Sequence, residues 1–297
     1  MRVVGTLTTL PSRYKLVLKM LKQLRHQTVK LDAIYLTLPY KAKRLNQTYP
    51  KLPDKIKKLC TVVRIDYDYG PICKLYGALM HENDPNTMII SLDDDIVYHH
   101  QLIETLIYKS KLRPKSAITG SAWLVDSHLF FNFYSNVTVA NQFQTLVGMQ
   151  VPDHGRKIDI LVGSSGVLYK RFMFPCKEKI ISDFFSLSLM NDDLFLNDDV
   201  VISAYLCKNK INRYVFKNIP VTNNDIVTND ALSIDYKKML ISFFNAVQFC
   251  KNLDYLHHCE DMSITDSPVF KVISITMFVL IIIIIIYIII KHQQNTL

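Results

Sequence analysis

Glycine is scarce in this chain, at 8 of 297 residues. No Gly/Ser run divides the sequence into two halves, and no internal repeat is present, so flexible tethers and solenoid architectures are excluded. The six cysteines (Cys60, Cys73, Cys176, Cys207, Cys250 and Cys259) include no C-x-x-C pair, the pattern of free thiols in a reducing compartment. Cys250, His257, His258 and Cys259 lie close in sequence, but their spacing fits none of the usual zinc-ligand patterns. The N terminus, "MRVVGTLTTLPSRYK", lacks an apolar core and a small-residue cleavage site, so it reads as a strand and not as a signal peptide. No nucleic-acid motif and no aromatic-interleaved basic run accompanies the formal net charge of +9. The lysines of residues 40–58 supply much of that charge and read as a solvated face leaning toward an anionic membrane, with no nucleic acid as partner.

What the chain does have is length enough to bury a core without staples and one long apolar run. From Val272 to Ile290 there are 19 residues without a charge, which at helical rise span roughly 30 Å, the thickness of a bilayer's hydrocarbon core. Lys271 and Lys291 bracket the run and can snorkel to the two interfaces. The expected organisation is a catalytic domain over residues 1–245, a connector over 246–268, a transmembrane helix over 269–290 and a short tail over 291–297. Such a single-pass protein, anchored near its C terminus, is expected to keep its catalytic domain in the cytosol.

Along residues 1–110 strands alternate with helices. "MRVVGTLTTL" alternates as a strand does, and "SRYKLVLKMLKQLRHQT" sets Leu16, Met20, Leu21 and Leu24 at helical spacing. "LDAIYLTLP", "CTVVRIDYD" and "TMIISL" read as further strands, and "GPICKLYGALMHEN" as a helix opening at Pro71 after Gly70. This order argues an α/β layer on a mostly parallel sheet. Beyond residue 115, "SAITGSAWLV" and "LFFNFYSNVTVA" look like strands, "KIDILVGSSGVLYKR" is a strand, glycine turn and strand, and "NDDVVISAYLCKNK" starts a helix capped by Asp198 or Asn197.

The fourth strand runs directly into Asp93, Asp94 and Asp95. Three adjacent carboxylates repel one another and resist desolvation, so something positive is expected opposite them. In a parallel sheet, ligands gather where loops converge at the carboxyl ends of strands. Residues 8–13, 66–70 and 93–95 hold that position on three strands and should meet at one crevice.

The stretches "TTLPSR", "DYGPICKLYGAL", "SLDDDIVY", "GSSGVLYKR" and "NDDVVISAYL", in this order, make residues 1–215 resemble the GT-A glycosyltransferases, closest to family 2. The resemblance implies a Rossmann-like α/β domain with a mostly parallel central sheet and flanking helices. It also implies a nucleotide-sugar donor, UDP by family habit, and a divalent metal, Mn²⁺ or Mg²⁺, bridging the diphosphate to the D-x-D carboxylates. Hard cations prefer such oxygens, and the charge developing on the leaving diphosphate is neutralised there. Carried over to this chain, Asp95 is the metal ligand, Asp93 holds the ribose or the metal through water, and Asp94 steadies the turn. Thr8, Pro11 and Arg13 match the first nucleotide loop, Asp68 sits where the base is contacted, and Lys74 reaches the donor phosphates as a mobile point charge. Gly163, Ser164, Ser165 and Gly166 match the segment that the acceptor approaches, and Trp123 is a candidate to stack on a sugar ring or to pack in the core. Inverting members use the Asp of a Glu-Asp pair as base; this chain has Asp198-Asp199, with Asp199 the first choice and Asp198 its competitor. The Q-x-x-R-W signature of processive synthases is missing, which favours one sugar per encounter. The acceptor is a lipid, glycan or protein, and a membrane anchor favours one on the same membrane.

Two rivals remain. "LDDDIV" also satisfies the D-x-D-x-[TV] motif of haloacid-dehalogenase-like phosphatases, with Asp93 as nucleophile, although that motif normally follows the first strand. The other is a catalytically inactive, membrane-anchored binding protein.

Overall fold

The computed structural model describes residues 1–123, 151–220 and 236–256, all within one unit of the chain. The expected strand at 129–140, most of the connector, the transmembrane run and His257, His258 and Cys259 lie outside the described residues. Among the described residues no helix is long and apolar enough to cross a membrane.

The first strand, β1 (Val3–Thr8), is buried along almost its whole length, as the central strand of a parallel sheet covered on both faces must be. It pairs in parallel with β2 (Ala33–Pro39) on one side and β6 (Met88–Ser91) on the other. Between those two in sequence come a small hairpin, β3 (Lys41–Ala42) with β4 (Gln47–Thr48), and then β5 (Thr61–Ile65), which pairs in parallel with β2. The chain therefore moves outward from β1 to β2 and β5, then returns to the opposite side of β1. That reversal opens a crevice between the carboxyl ends of β1 and β6.

Beyond β6 the sheet continues through β11 (Val167–Lys170), β7 (Ala117–Thr119), β12 (Arg213–Val215) and β9 (Arg156–Lys157), in the order β5-β2-β1-β6-β11-β7-β12-β9. A second pairing joins β8 (Ala122–Trp123) to β10 (Ile160–Leu161). Only β11 and β9 run against the rest of the large sheet, so the architecture is mixed α/β on a mostly parallel sheet, as the alternation of elements predicts. The reversal of β11 matters for the site. Val167 faces Ser91, so the turn that precedes β11 lies at the rim where β6 ends.

Helix α1 (Tyr14–Leu24) buries Val17, Met20, Leu21 and Leu24. Leu16, expected in that stripe, is only half-buried, and Val17 takes its place; at roughly 1.5–3 kcal/mol for each buried aliphatic chain, this stripe sets the helix against the sheet. Helices α2 (Asp54–Lys57) and α3 (Cys73–His81) follow, with α3 starting two residues beyond the expected Pro71. Helix α4 (Leu102–Leu112) buries Leu102, Ile103, Leu106 and Ile107. After the short α5 (Ile180–Asp183) and α6 (Asp192–Leu196) comes α7 (Asp198–Lys208), with every residue from Val200 to Leu206 buried. A helix apolar on all faces lies inside the fold, and it carries the acidic pair of its first turn inward. Helix α8 (Tyr236–Asn252) packs on α6 and α7; it runs through residue 245, the expected end of the domain.

Gly70 has φ +83°, and a Cβ there would lie 2.2 Å from the carbonyl oxygen of Phe195 in α6. Both the backbone and the neighbouring helix therefore require glycine. Gly70→Ala is expected to cost about 2 kcal/mol or more, read as a lowered midpoint in thermal or urea unfolding.

Candidate active site

The crevice between β1 and β6 is a cavity of about 360 Å³, within the range of small-molecule sites. The loop after β1 contributes Thr8, Thr9 and Arg13; the start of α3 contributes Asp68, Gly70, Pro71 and Lys74; the end of β6 contributes Asp93, Asp94 and Asp95. Ser164 comes from the turn before β11, Phe195, Asp198 and Asp199 from α6 and α7, and Met239 from α8.

Local turn chemistry sets these groups in place. The Asp68 carboxylate accepts from the Gly70 N–H at 2.8 Å and from the Lys43 N–H at 2.8 Å. It thus closes the turn that starts α3 and ties that turn to the β3–β4 hairpin. Lys74 lies in the first turn of α3, and the Thr6 hydroxyl of β1 donates to its backbone carbonyl. The Asp93 N–H donates to the hydroxyl oxygen of buried Tyr98 at 2.7 Å, which fixes the chain as it leaves β6.

Two cations of the chain stand opposite the three aspartates. Arg13 Nη1 lies 3.0 Å from Asp94 Oδ1 and 2.9 Å from Asp95 Oδ2, and Asp94 also accepts from the Thr9 hydroxyl. Lys74 Nζ lies 2.5 Å from Asp93 Oδ1 and 2.9 Å from Asp198 Oδ2. Asp199 takes a different partner, accepting the Gly163 N–H at both oxygens, each at 3.1 Å. The positive charge expected opposite the carboxylates is, in this structure, Arg13 and Lys74.

Proton affinities follow from this crowding. Burial, the adjacent Asp198 and then Asp93 push Asp199 up to about 8, against the opposing pull of Lys74. Burial and the neighbouring Asp94 and Asp93 push Asp95 up to about 6, with Arg13 acting the other way. Burial also raises Asp94, against Arg13 and the Thr9 hydroxyl. For Lys74, burial opposes the charge, but Asp198, Asp93 and Asp199 outweigh it and hold the ammonium firmly protonated.

Several expectations from sequence change in detail. Lys74 is not a mobile surface charge: its side chain is 7% exposed and ion-paired twice. Asn197 does not cap α7 with its side chain, because its amide donates to the Asp193 carbonyl and to Ser242 of α8. Pro11 opens a short 3-10 turn (Pro11–Arg13) that carries Arg13 inward and does not itself line the cavity. Ser165 is buried against Thr119 and the Val162 carbonyl. A Cβ on Gly166 would press on Leu102 of the core. Trp123 is absent from the lining, and its ring lies 6.0 Å from that of Phe243. Arg171 donates to the backbone carbonyls of Glu82, Phe174 and Pro175, a structural use of the guanidinium. Sequence reading missed Thr9, Arg44, Tyr49, Phe195 and Met239 in the lining. Thr9 could have been found from its neighbours; the others come from segments with no motif.

Among the described residues no group of three His, Cys, Asp or Glu side chains is arranged to hold a metal alone. The donor set still fits a divalent cation that completes its shell with phosphate and water: Asp93 and Asp95 both line the cavity, with side chains 26% and 25% exposed, and Mg²⁺ commonly takes only one or two carboxylates plus substrate phosphates.

No protein-family model and no curated protein matches the sequence. Among solved structures, the chain is similar to Staphylococcus aureus TarS 1–349, at 10% identity and TM-score 0.42, covering 73% of this chain and 58% of that one. TarS 1–349 in complex with UDP gives 10% identity and TM-score 0.41 over the same shares. The chain thus spans 58% of the length of the TarS chains.

A raised carboxyl pKa means that the folded protein holds a proton the unfolded chain releases near pH 4. Stability from Asp95 and Asp199 is therefore full below that pH and is lost as pH rises through about 6 and about 8. The melting temperature of the metal-free protein is expected to fall between pH 5 and pH 9. Asp199→Asn should flatten the upper part of that fall; a scanning calorimetry series across pH checks it.

Proposed function

We propose that the chain is a metal-dependent glycosyltransferase that moves one sugar from a nucleoside-diphosphate donor to an acceptor hydroxyl, with inversion and without processivity. The observation that carries this reading is the convergence, in one crevice at the sheet's switch point, of the Asp93–Asp95 carboxylates, the cations Arg13 and Lys74, and the proton-retaining carboxyl of Asp199. The motif resemblance over residues 1–215 supports the same assignment.

On this reading Asp95 and Asp93 hold Mn²⁺ or Mg²⁺, which when bound neutralises charge on the diphosphate. Arg13 and Thr8 stand at the nucleotide side, and Ser164 beside the acceptor. Asp199, in its ionised form, accepts the proton of the attacking hydroxyl, so turnover should rise as pH rises through about 8. The hydroxyl oxygen bonds to the anomeric carbon as the bond from that carbon to the diphosphate oxygen breaks, and nucleoside diphosphate leaves with the bonding pair. The Gly163 N–H on both Asp199 oxygens orients the base, and Asp198, bound to Lys74, is kept from that role. The apolar run at 269–290 would hold the domain at a membrane, with the acceptor on the same surface.

A panel of sugar nucleotides with and without Mn²⁺, read by release of nucleoside diphosphate, tests the reading. A haloacid-dehalogenase-like phosphatase would instead release phosphate from a phosphomonoester. Asp95→Ala is expected to abolish metal-dependent donor binding in calorimetry. Asp199→Asn should bind donor as the parent does but turn over about 10²–10⁴ times more slowly. Full rate in Asp199→Asn would move the base to Asp198.

A further inference from the structure

We propose that Lys74 is a resident counter-ion which opposes entry of a divalent cation alone to the crevice and admits it together with a diphosphate, an inference that rests on the nucleotide-sugar reading of the same crevice.

Lys74 is not placed as a side chain waiting in solvent. Its ammonium already donates to Asp93 Oδ1 at 2.5 Å and forms an ion pair with Asp198 Oδ2 at 2.9 Å, with 7% of the side chain exposed. The Thr6 hydroxyl holds its backbone. A divalent cation coordinated by Asp93 would share one carboxylate with this ammonium, so the two positive charges would lie only the width of a carboxylate apart. Repulsion at that spacing is strong in a half-buried crevice, because little water screens it.

A second, independent observation points to an anion as the partner of these cations. Arg13 is 8% exposed and lines the cavity, and its Nε is buried without a hydrogen-bond partner. An ammonium has three donors, of which Asp93 accepts one from Lys74, while Asp198 Oδ2 is in ionic contact with it but accepts no hydrogen bond. The crevice thus offers donors short of acceptors beside carboxylates whose charge is partly cancelled. A diphosphate supplies acceptor oxygens to Arg13 and Lys74 and negative charge between Lys74 and the metal, turning their repulsion into a shared attraction. Reciprocity requires that the metal tighten the diphosphate by the same factor.

The test is Mn²⁺ binding, followed by the electron paramagnetic resonance signal of free Mn²⁺, on the full chain in detergent. Parent, Lys74→Met, Lys74→Gln and Lys74→Arg are each titrated alone, with inorganic pyrophosphate and with UDP. The neutral variants are expected to bind Mn²⁺ alone about tenfold tighter than the parent, or more, and Lys74→Arg to stay within about threefold of it. UDP or pyrophosphate should tighten Mn²⁺ on the parent about tenfold or more and on the neutral variants far less. Should Lys74→Met fail to give a cooperative thermal transition, Lys74→Gln carries the same criterion. Neutral variants that fold but bind Mn²⁺ alone no tighter than the parent would overturn the role of Lys74 while leaving the diphosphate reading intact. A parent whose Mn²⁺ affinity responds to neither UDP nor pyrophosphate would overturn both.

Discussion

Two cations set against five carboxylates hold the crevice together. Arg13 fastens the loop after β1 to Asp94 and Asp95, and Lys74 fastens the start of α3 to Asp93 and to Asp198. Each joins segments that are distant in sequence. Without them, the end of β6 and the start of α7 would bring carboxylates of one sign together in a region of low dielectric, and the elements would splay. Buried ion pairs seldom out-stabilise well-packed apolar side chains of similar volume. Their concentration at the carboxyl ends of β1 and β6, around one cavity, argues that they are retained for chemistry.

Topology explains why these groups can meet at all. The excursion from β1 to β2 and β5, followed by the return to β6, leaves the loops after β1 and β6 diverging to opposite sides, and a cavity opens between them. The antiparallel β11 then brings the 163–166 turn to the same rim. Helix α7, buried on every face, drives its first turn into the opposite wall. Strand ends, a reversed strand and a buried helix start thus deliver acidic groups from separate segments to a volume of about 360 Å³.

How much of this the sequence discloses depends on whether the cause is local. The central strands are legible because β1 and β6 are apolar runs bounded by polar turns, a pattern that burial on both faces imposes. The Asp triad is legible for the same reason: it ends such a run. The stripe of α1 is less so, since Leu16, Val17 and Leu18 are consecutive and two registers satisfy the helical period; packing against the sheet selects Val17. Pairing of charges is not legible. Nothing near Lys74 in sequence names Asp93 or Asp198, and a lysine one turn into a helix reads as solvated until the fold closes over it. Tyr49, Phe195 and Met239 reach the cavity by tertiary placement alone.

The adjacent carboxylates of Asp198 and Asp199 show how environment, more than residue type, divides labour. Asp198 meets an ammonium, and its negative charge is spent on that contact. Asp199 meets a backbone N–H, a weaker partner that aligns both oxygens while leaving burial and its two acidic neighbours to hold the proton. The glycine at 163 makes this arrangement possible: a Cβ there would lie 3.0 Å from Asp199 Oδ1 and 3.3 Å from Lys74 Nζ. A side chain at that position would make the Asp199 carboxylate and the Lys74 ammonium give by a few tenths of an ångström. The missing Cβ at 163 therefore leaves room for both groups, so that two adjacent carboxyls sit in environments that push their proton affinities apart, the pattern that the proposed base rests on.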